Sequence, residues 1–128
     1  MTYYFSKIVE SDFEAAVRRA KAALEREGFG ILTEIDVKAT LKKKLDVDFH
    51  PYLILGACNP KLAHQALQHE DKIGTMLPCN VIVQQLDGGK VEIAAVDPVA
   101  SMQAVGNPQL GEVAGNVRQK LKDVVESL

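Results

Sequence analysis

Two cysteines, Cys58 and Cys79, are the side chains of this 128-residue chain with the most distinctive chemistry. Cys58 stands directly before Asn59-Pro60, a pair typical of a helix start, and the positive end of a helix dipole favours a thiolate. Thiolates can bind a soft metal such as zinc or copper(I), or exchange with other thiols. The two cysteines do not form a CxxC pair, and two ligands fall short of the four that structural zinc normally takes. The alternative interpretation is that each cysteine is a small buried hydrophobe.

Glu34 and Asp36 form a second candidate group, together with Lys44. Residues two apart on a regular strand point to the same side, so the two carboxylates could share a proton or hold a hard cation. A structural interpretation competes with this one. In it, Asp36 caps the following helix, and Glu34 pairs with Lys43 or Lys44.

Other familiar signatures are missing from the sequence. His64 and His69 are five residues apart, which places them on different faces of a helix, and we expect both of them and His50 at the surface. No GxGxxG, GxxxxGK[ST] or GxSxG pattern supports a common nucleotide site or a serine hydrolase. A net charge of -2 lacks the basic excess of nucleic-acid binders, so Lys42-Lys43-Lys44 is interpreted as a solvated face.

Composition predicts one ordinary globular domain over residues 1–128. The chain is 47% hydrophobic and 25% charged, which suits a core that needs no disulfides. The N-terminus has no basic segment followed by a long apolar stretch, and no run reaches the ~18 apolar residues of a membrane span. We therefore expect a cytoplasmic protein with reduced thiols and with no membrane or nucleic-acid partner.

Apolar spacing, capping residues and turn residues predict five strands and several helices. The strands are Tyr3–Val9, Phe29–Ile35, Pro51–Cys58, Pro78–Leu86 and Lys90–Val96, the last two joined by a hairpin turn at Asp87-Gly88-Gly89. The helices begin at the Ser11–Glu14 capping box, after Asp36 and after Asn59, and a last helix covers Pro108–Leu128.

The same patterns predict which residues face the core. In the second strand we expect Phe29, Ile31, Thr33 and Ile35 on one face, and the continuous apolar run of the third strand predicts cover on both faces. The third helix should turn four residues inward: Leu62, Ala63, Ala66 and Leu67. The last helix should bury Val113, Val117, Leu121, Val124 and Val125.

Four motifs in order carry a family resemblance: Thr33-Glu34-Ile35-Asp36, Leu55-Gly56-Ala57-Cys58-Asn59-Pro60, Leu77-Pro78-Cys79-Asn80 and Asp97-Pro98. With them, the chain resembles the prokaryotic domain-of-unknown-function 302 family over nearly its whole length. The resemblance implies an α+β fold with an antiparallel or mixed five-stranded sheet covered by helices, in a TBP-like β-α-β(4)-α order with helical insertions. It also implies a homodimer. It implies no chemistry, because a fold alone does not define a function.

The antiparallel meander that this resemblance implies would sort the candidate residues into two groups. One rim of the sheet would hold Cys58, Asn59, Cys79 and Asp97, and the opposite rim would hold Glu34, Asp36 and His50. We expect the Cα atoms of Cys58 and Cys79 within about 10 Å, though not necessarily at the ~5.5 Å that suits a disulfide.

The absence of a complete catalytic set favours a ligand-binding module over an enzyme. We expect a small-molecule ligand on the concave surface between the sheet and its helices, in a homodimer. A thiol- or metal-dependent activity at Cys58 and Cys79, using zinc, copper or redox exchange, is the alternative. A purely structural or protein-interaction role is the third.

Overall fold

The protein is described by a computed structural model that covers residues 2–128. Its strands are β1 (Tyr4–Glu10), β2 (Gly30–Asp36), β3 (Tyr52–Cys58), β4 (Cys79–Gln85) and β5 (Lys90–Val96). Its α-helices are α1 (Phe13–Arg26), α2 (Val37–Leu45), α3 (Pro60–His69), α4 (Pro98–Ser101) and α5 (Leu110–Glu126). Three 3-10 turns lie at Ile73–Met76, Asp87–Gly89 and Gln103–Val105.

The five strands form one sheet in the order β1-β5-β4-β3-β2, and every neighbouring pair is antiparallel. Strands β2 to β5 are the predicted meander, and β1 joins it beside β5. The α+β fold class is therefore confirmed, with a sheet that is antiparallel throughout. None of the helices in residues 2–128 combines the length and the apolar character needed to cross a bilayer.

One face of the sheet, the inner face, packs against α1, α3 and α5. Its residues alternate along each strand with partly or fully exposed ones, as in the pattern of β4, where Cys79, Val81 and Val83 are buried. We call the other side the open face. The prediction that β3 is covered on both faces is wrong, because Tyr52 and Ile54 remain partly exposed there.

Gly56 is the exception on the open face, since it is buried. A Cβ atom at this position would clash with the Thr33 side chain and would lie 2.8 Å from Cγ of Pro78. Cover on the open face of β3 is therefore confined to Gly56, over which the Thr33 and Pro78 side chains close.

Strand β2 contains a bulge at Leu32. Ile31 pairs with Ala57, but the next pair is Thr33 with Gly56, so one residue of β2 has no partner. An extra residue reverses the alternation. Ile31 consequently faces the core, whereas Ile35 is 47% exposed. The predicted single face for these residues is therefore wrong.

Side-chain caps fix most of the helix starts. Asp36 accepts a hydrogen bond from the Ala39 amide (2.9 Å), and Asn59 accepts one from the Leu62 amide (3.2 Å), as predicted. The prediction that Ser11 caps α1 in a capping box is wrong. Asp12 caps α1 instead, because its carboxylate accepts from the Ala15 amide at 2.7 Å.

Helix α5 supplies a large share of the core. All five predicted inward residues are buried: Val113, Val117, Leu121, Val124 and Val125. Lys7 of β1 donates to the carbonyl of Glu126 (3.2 Å) and to that of Leu128, which ties the end of α5 to the sheet. In α3, Leu62 and Ala66 are buried as predicted, but Leu67 is 43% exposed, because it lies away from the face that they share.

The substitution Leu121→Ala should destabilise the domain by about 2–4 kcal/mol, because it removes a fully buried side chain and leaves a cavity. Urea denaturation followed by circular dichroism measures this loss. Leu67→Ala is the matched control and should cost less than about 1 kcal/mol, as is usual for exposed sites. Equal losses in the two variants would contradict this description of the core.

Candidate functional site

The predicted cysteine rim, formed by Cys58, Asn59, Cys79 and Asp97, exists at one end of the sheet. Ala57 lies opposite Cys79 in the β3–β4 ladder. Opposite residues have Cα atoms about 4.5–5.5 Å apart, and consecutive ones about 3.8 Å, so the Cα atoms of Cys58 and Cys79 lie less than about 10 Å apart. Asp97 reaches the same rim because Val81 pairs with Ala95.

The polar residues of the cysteine rim have structural partners. Asn59 caps α3. Asp97 is 8% exposed, and its Oδ1 accepts from the Val99 amide at 3.0 Å while its Oδ2 accepts from Nε of Arg118 at 3.2 Å. The guanidinium carbon of Arg118 lies 5.2 Å from the centre of the Phe5 ring. These contacts join the end of β5 to α4 and α5. They give each oxygen of the Asp97 carboxylate a hydrogen-bond partner within the protein.

The two cysteines form no disulfide, and the protein environment disfavours the thiolate of each. Burial raises the pKa of Cys58, and burial together with the nearby Cys58 raises the pKa of Cys79 to about 11. The thiolate that the helix start led us to expect is therefore not favoured at either position. Across residues 2–128, no group of three or more His, Cys, Asp or Glu is placed to hold a metal ion.

The space between the sheet and the helices is small. A cavity of about 30 Å³ lies there, bounded by Cys58, Cys79 and apolar side chains of α3 and α5. A cavity of this size holds about one water molecule. The expected concave site under the helices is too narrow for a small-molecule ligand.

The second candidate group does not form a carboxylate site. Asp36 is the cap of α2. Glu34 pairs with Lys21 of α1 at 3.0 Å, so the predicted pairing with Lys43 or Lys44 is wrong. Lys44 is exposed, at the end of a helix that buries none of its residues.

A larger hollow lies on the open face, where sequence reasoning placed no site. Its volume is about 410 Å³. We call it the open-face groove, and ten residues line it: Tyr3, Tyr4, Tyr52, Asn80, Ile82, Gln84, Glu92, Ala94, Ala95 and Val96.

A row of polar side chains crosses the floor of the open-face groove. The register places Gln84 between Tyr52 of β3 and Glu92 of β5. Gln84 Nε2 donates to Glu92 Oε1 at 2.8 Å, and Gln84 Oε1 lies 3.0 Å from Nε2 of His50. For that contact to be a hydrogen bond, the His50 Nε2 must carry the proton.

Aromatic side chains flank this row. The rings of Tyr3 and Tyr4 meet edge to face, with centroids 5.1 Å apart. His50 stacks on Phe49 at 4.2 Å, and its ring is 6.0 Å from that of Tyr52.

The open-face groove was missed because its residues are scattered over four strands. The period-two alternation of β4 could have revealed that Asn80 and Gln84 share a face. Only the register reveals that Tyr52 and Glu92 join them.

Comparisons with known proteins agree with the fold. The family model described as "Domain of unknown function DUF302" matches residues 5–128. The crystal structure of an uncharacterized conserved DUF302 protein from Bacillus stearothermophilus is similar with a TM-score of 0.91 and 28% sequence identity, over 98% of each chain. Among curated proteins, none matches this sequence.

Both thiols should react more slowly with iodoacetamide near neutral pH than the thiol of a free cysteine, because only the thiolate attacks and burial disfavours it. Cys79, with a pKa of about 11, should be the slower, and its rate should rise as the pH approaches that value. Mass spectrometry of the alkylated peptides measures both rates. Fast alkylation of Cys79 in the folded protein near neutral pH would contradict the buried-thiol description, provided that the protein stays folded.

Proposed function

The chain belongs to the DUF302 family, and we propose that it is a ligand-binding module that takes its ligand in the open-face groove. One observation carries this proposal, and it is the size of the groove. A volume of about 410 Å³ falls within the range of roughly 300–1,000 Å³ that is typical of small-molecule sites. The cavity under the helices, at about 30 Å³, does not.

The chemistry of the groove favours binding over catalysis. Its polar groups are amides, phenols and one carboxylate, and one oxygen of that carboxylate accepts a hydrogen bond from Gln84. A catalytic nucleophile is activated by an adjacent base, by a lowered pKa or by a metal, and its base is in turn oriented by a third group. The tyrosines, amides and apolar side chains of the groove instead supply the mixture of contacts that orients a bound molecule.

The thiol- or metal-dependent alternative at Cys58 and Cys79 has less support. Metal binding and thiol exchange both require thiolates. The raised pKa values of the two thiols count against that state near neutral pH.

A fragment screen followed by ¹⁵N–¹H correlation NMR tests the binding proposal. Bound fragments should shift the amide signals of groove residues such as Ile82, Gln84 and Ala94. Ala94→Trp should abolish these shifts by filling the groove, whereas Ala22→Trp, on the exposed side of α1, should preserve them. Fragments that gather elsewhere, or a screen without hits in the groove, would contradict the proposal.

We also propose that the protein is a homodimer in which a second copy packs on α2. This helix has nine residues and buries none of them, and its last residue, Leu45, is 66% exposed. Helices this short are marginal in water without tertiary packing, so a second copy would supply what the monomer lacks. The TBP-like arrangement and the cytoplasmic location stay predictions.

Light scattering coupled to size-exclusion chromatography should show a dimer for the unmodified chain. Leu45→Glu should shift it to a monomer, because a charge at the contact must be desolvated. Leu67→Glu, at a leucine of α3 that is 43% exposed, should leave the dimer intact. A monomeric unmodified chain would exclude this interface.

A further inference from the structure

We propose that the ligand of the open-face groove is a small organic cation, in which an ammonium, amidinium or guanidinium group is carried on a compact apolar body. This inference rests on the proposed function, and it goes further by naming the chemical class that the groove selects. It follows from the charge of the groove, from its aromatic lining and from its size.

Glu92 gives the open-face groove its negative charge. It is the one charged residue among the ten that line the groove. Its side chain is partly buried, and within residues 2–128 no Lys, Arg or His nitrogen lies within the distance of an ion pair. Lys90 follows the same face of β5, but it is exposed at the strand end and does not line the groove. A partly buried carboxylate that has no cation beside it is stabilised by a cationic group of the ligand.

Hydrogen bonds hold this carboxylate in place. The Gln84 amide donates to Oε1 of Glu92, and the Gln84 carbonyl oxygen is engaged by His50. Because both ends of the amide are engaged, its NH₂ group is kept towards Glu92. Oε2 of Glu92 has no hydrogen-bond partner in the described chain, so it can accept from a cationic N–H. Gln84 and His50 are positioning residues in this arrangement.

The tyrosines extend the preference for positive charge. Cations are attracted to the faces of aromatic rings, with the strongest effects where water is displaced. Tyr52 is such a ring, since the register places it in the same row as Gln84 and Glu92. Tyr3 and Tyr4 lie further along the groove, where Tyr4 pairs with Val96, and they line the part that the apolar body of the ligand would occupy. A ligand with an anionic group would instead face Glu92 without a compensating cation. The groove therefore discriminates by charge as well as by shape.

Benzamidine is a suitable probe, because it combines a planar cation with an apolar ring, and benzamide is its neutral isostere. The unmodified protein in phosphate buffer, which contains no competing amine, is titrated with each compound while the amide signals of the groove are followed by NMR. Benzamidine should bind at least tenfold more tightly than benzamide, as expected where a partly buried carboxylate is left without a cation in the weaker complex. Equal affinities would overturn the inference.

The variant Glu92→Gln carries the second test. It keeps the shape of the side chain, and it should reduce benzamidine affinity at least tenfold while leaving benzamide affinity unchanged. Glu112→Gln is the matched control: it removes one negative charge from an exposed position on α5 and should leave both affinities unchanged. Equal effects of the two variants would mean that net charge, rather than the groove, attracts the cation.

The comparison on the unmodified protein keeps the inference testable even if Glu92→Gln fails to fold. The outcomes also separate this inference from the proposed function. If only neutral or anionic fragments occupy the groove, the binding function stands and the cation preference is wrong. If nothing occupies the groove, both are wrong.

Discussion

The contact between α5 and the inner face of the sheet is the interaction on which the rest of the structure depends. Leu121 and Val124 bury almost their whole surface there, and the Asp97–Arg118 pair and the hold of Lys7 on the helix end attach α5 at two further points. Since each strand alternates its side chains, covering one face leaves every second residue on the other. The open-face groove is thus a direct consequence of a sheet packed on one side only.

The same contact explains why the pKa of Cys79, in the cysteine rim, is raised. Cys79 belongs to the inner face and is buried with the core. Water that would stabilise a thiolate is excluded from Cys79, and this desolvation raises its pKa. The polar members of the rim serve the architecture, since Asn59 begins α3 and Asp97 begins α4 while binding α5. These residue types suggest chemistry in the sequence, but in the structure they hold the ends of helices and strands together.

The sequence predicted the elements that local periodicity and capping residues control, and it missed the features that depend on the pairing of neighbouring strands. Helix α5 and its five inward residues, the Asp36 and Asn59 caps and the β4–β5 hairpin all have local signals, and all are confirmed. The bulge at Leu32 has none, because an unpaired residue becomes visible only against its partner strand. For the same reason, the sequence could not show that Gly56 is buried by the Thr33 and Pro78 side chains. The open-face groove likewise could not be predicted before the strand register was known.

The bulge at Leu32 also bears on how the sheet ends. Strand β2 is an edge strand, so its outer backbone groups are a template on which another chain could add a further strand. A bulge twists the edge and breaks the regular spacing of those groups, which makes such addition less favourable. The exposed side chain of Leu32 then stands beside an interrupted ladder rather than a continuous one. The irregularity in β2 therefore lowers the tendency of this edge to extend the sheet into aggregates.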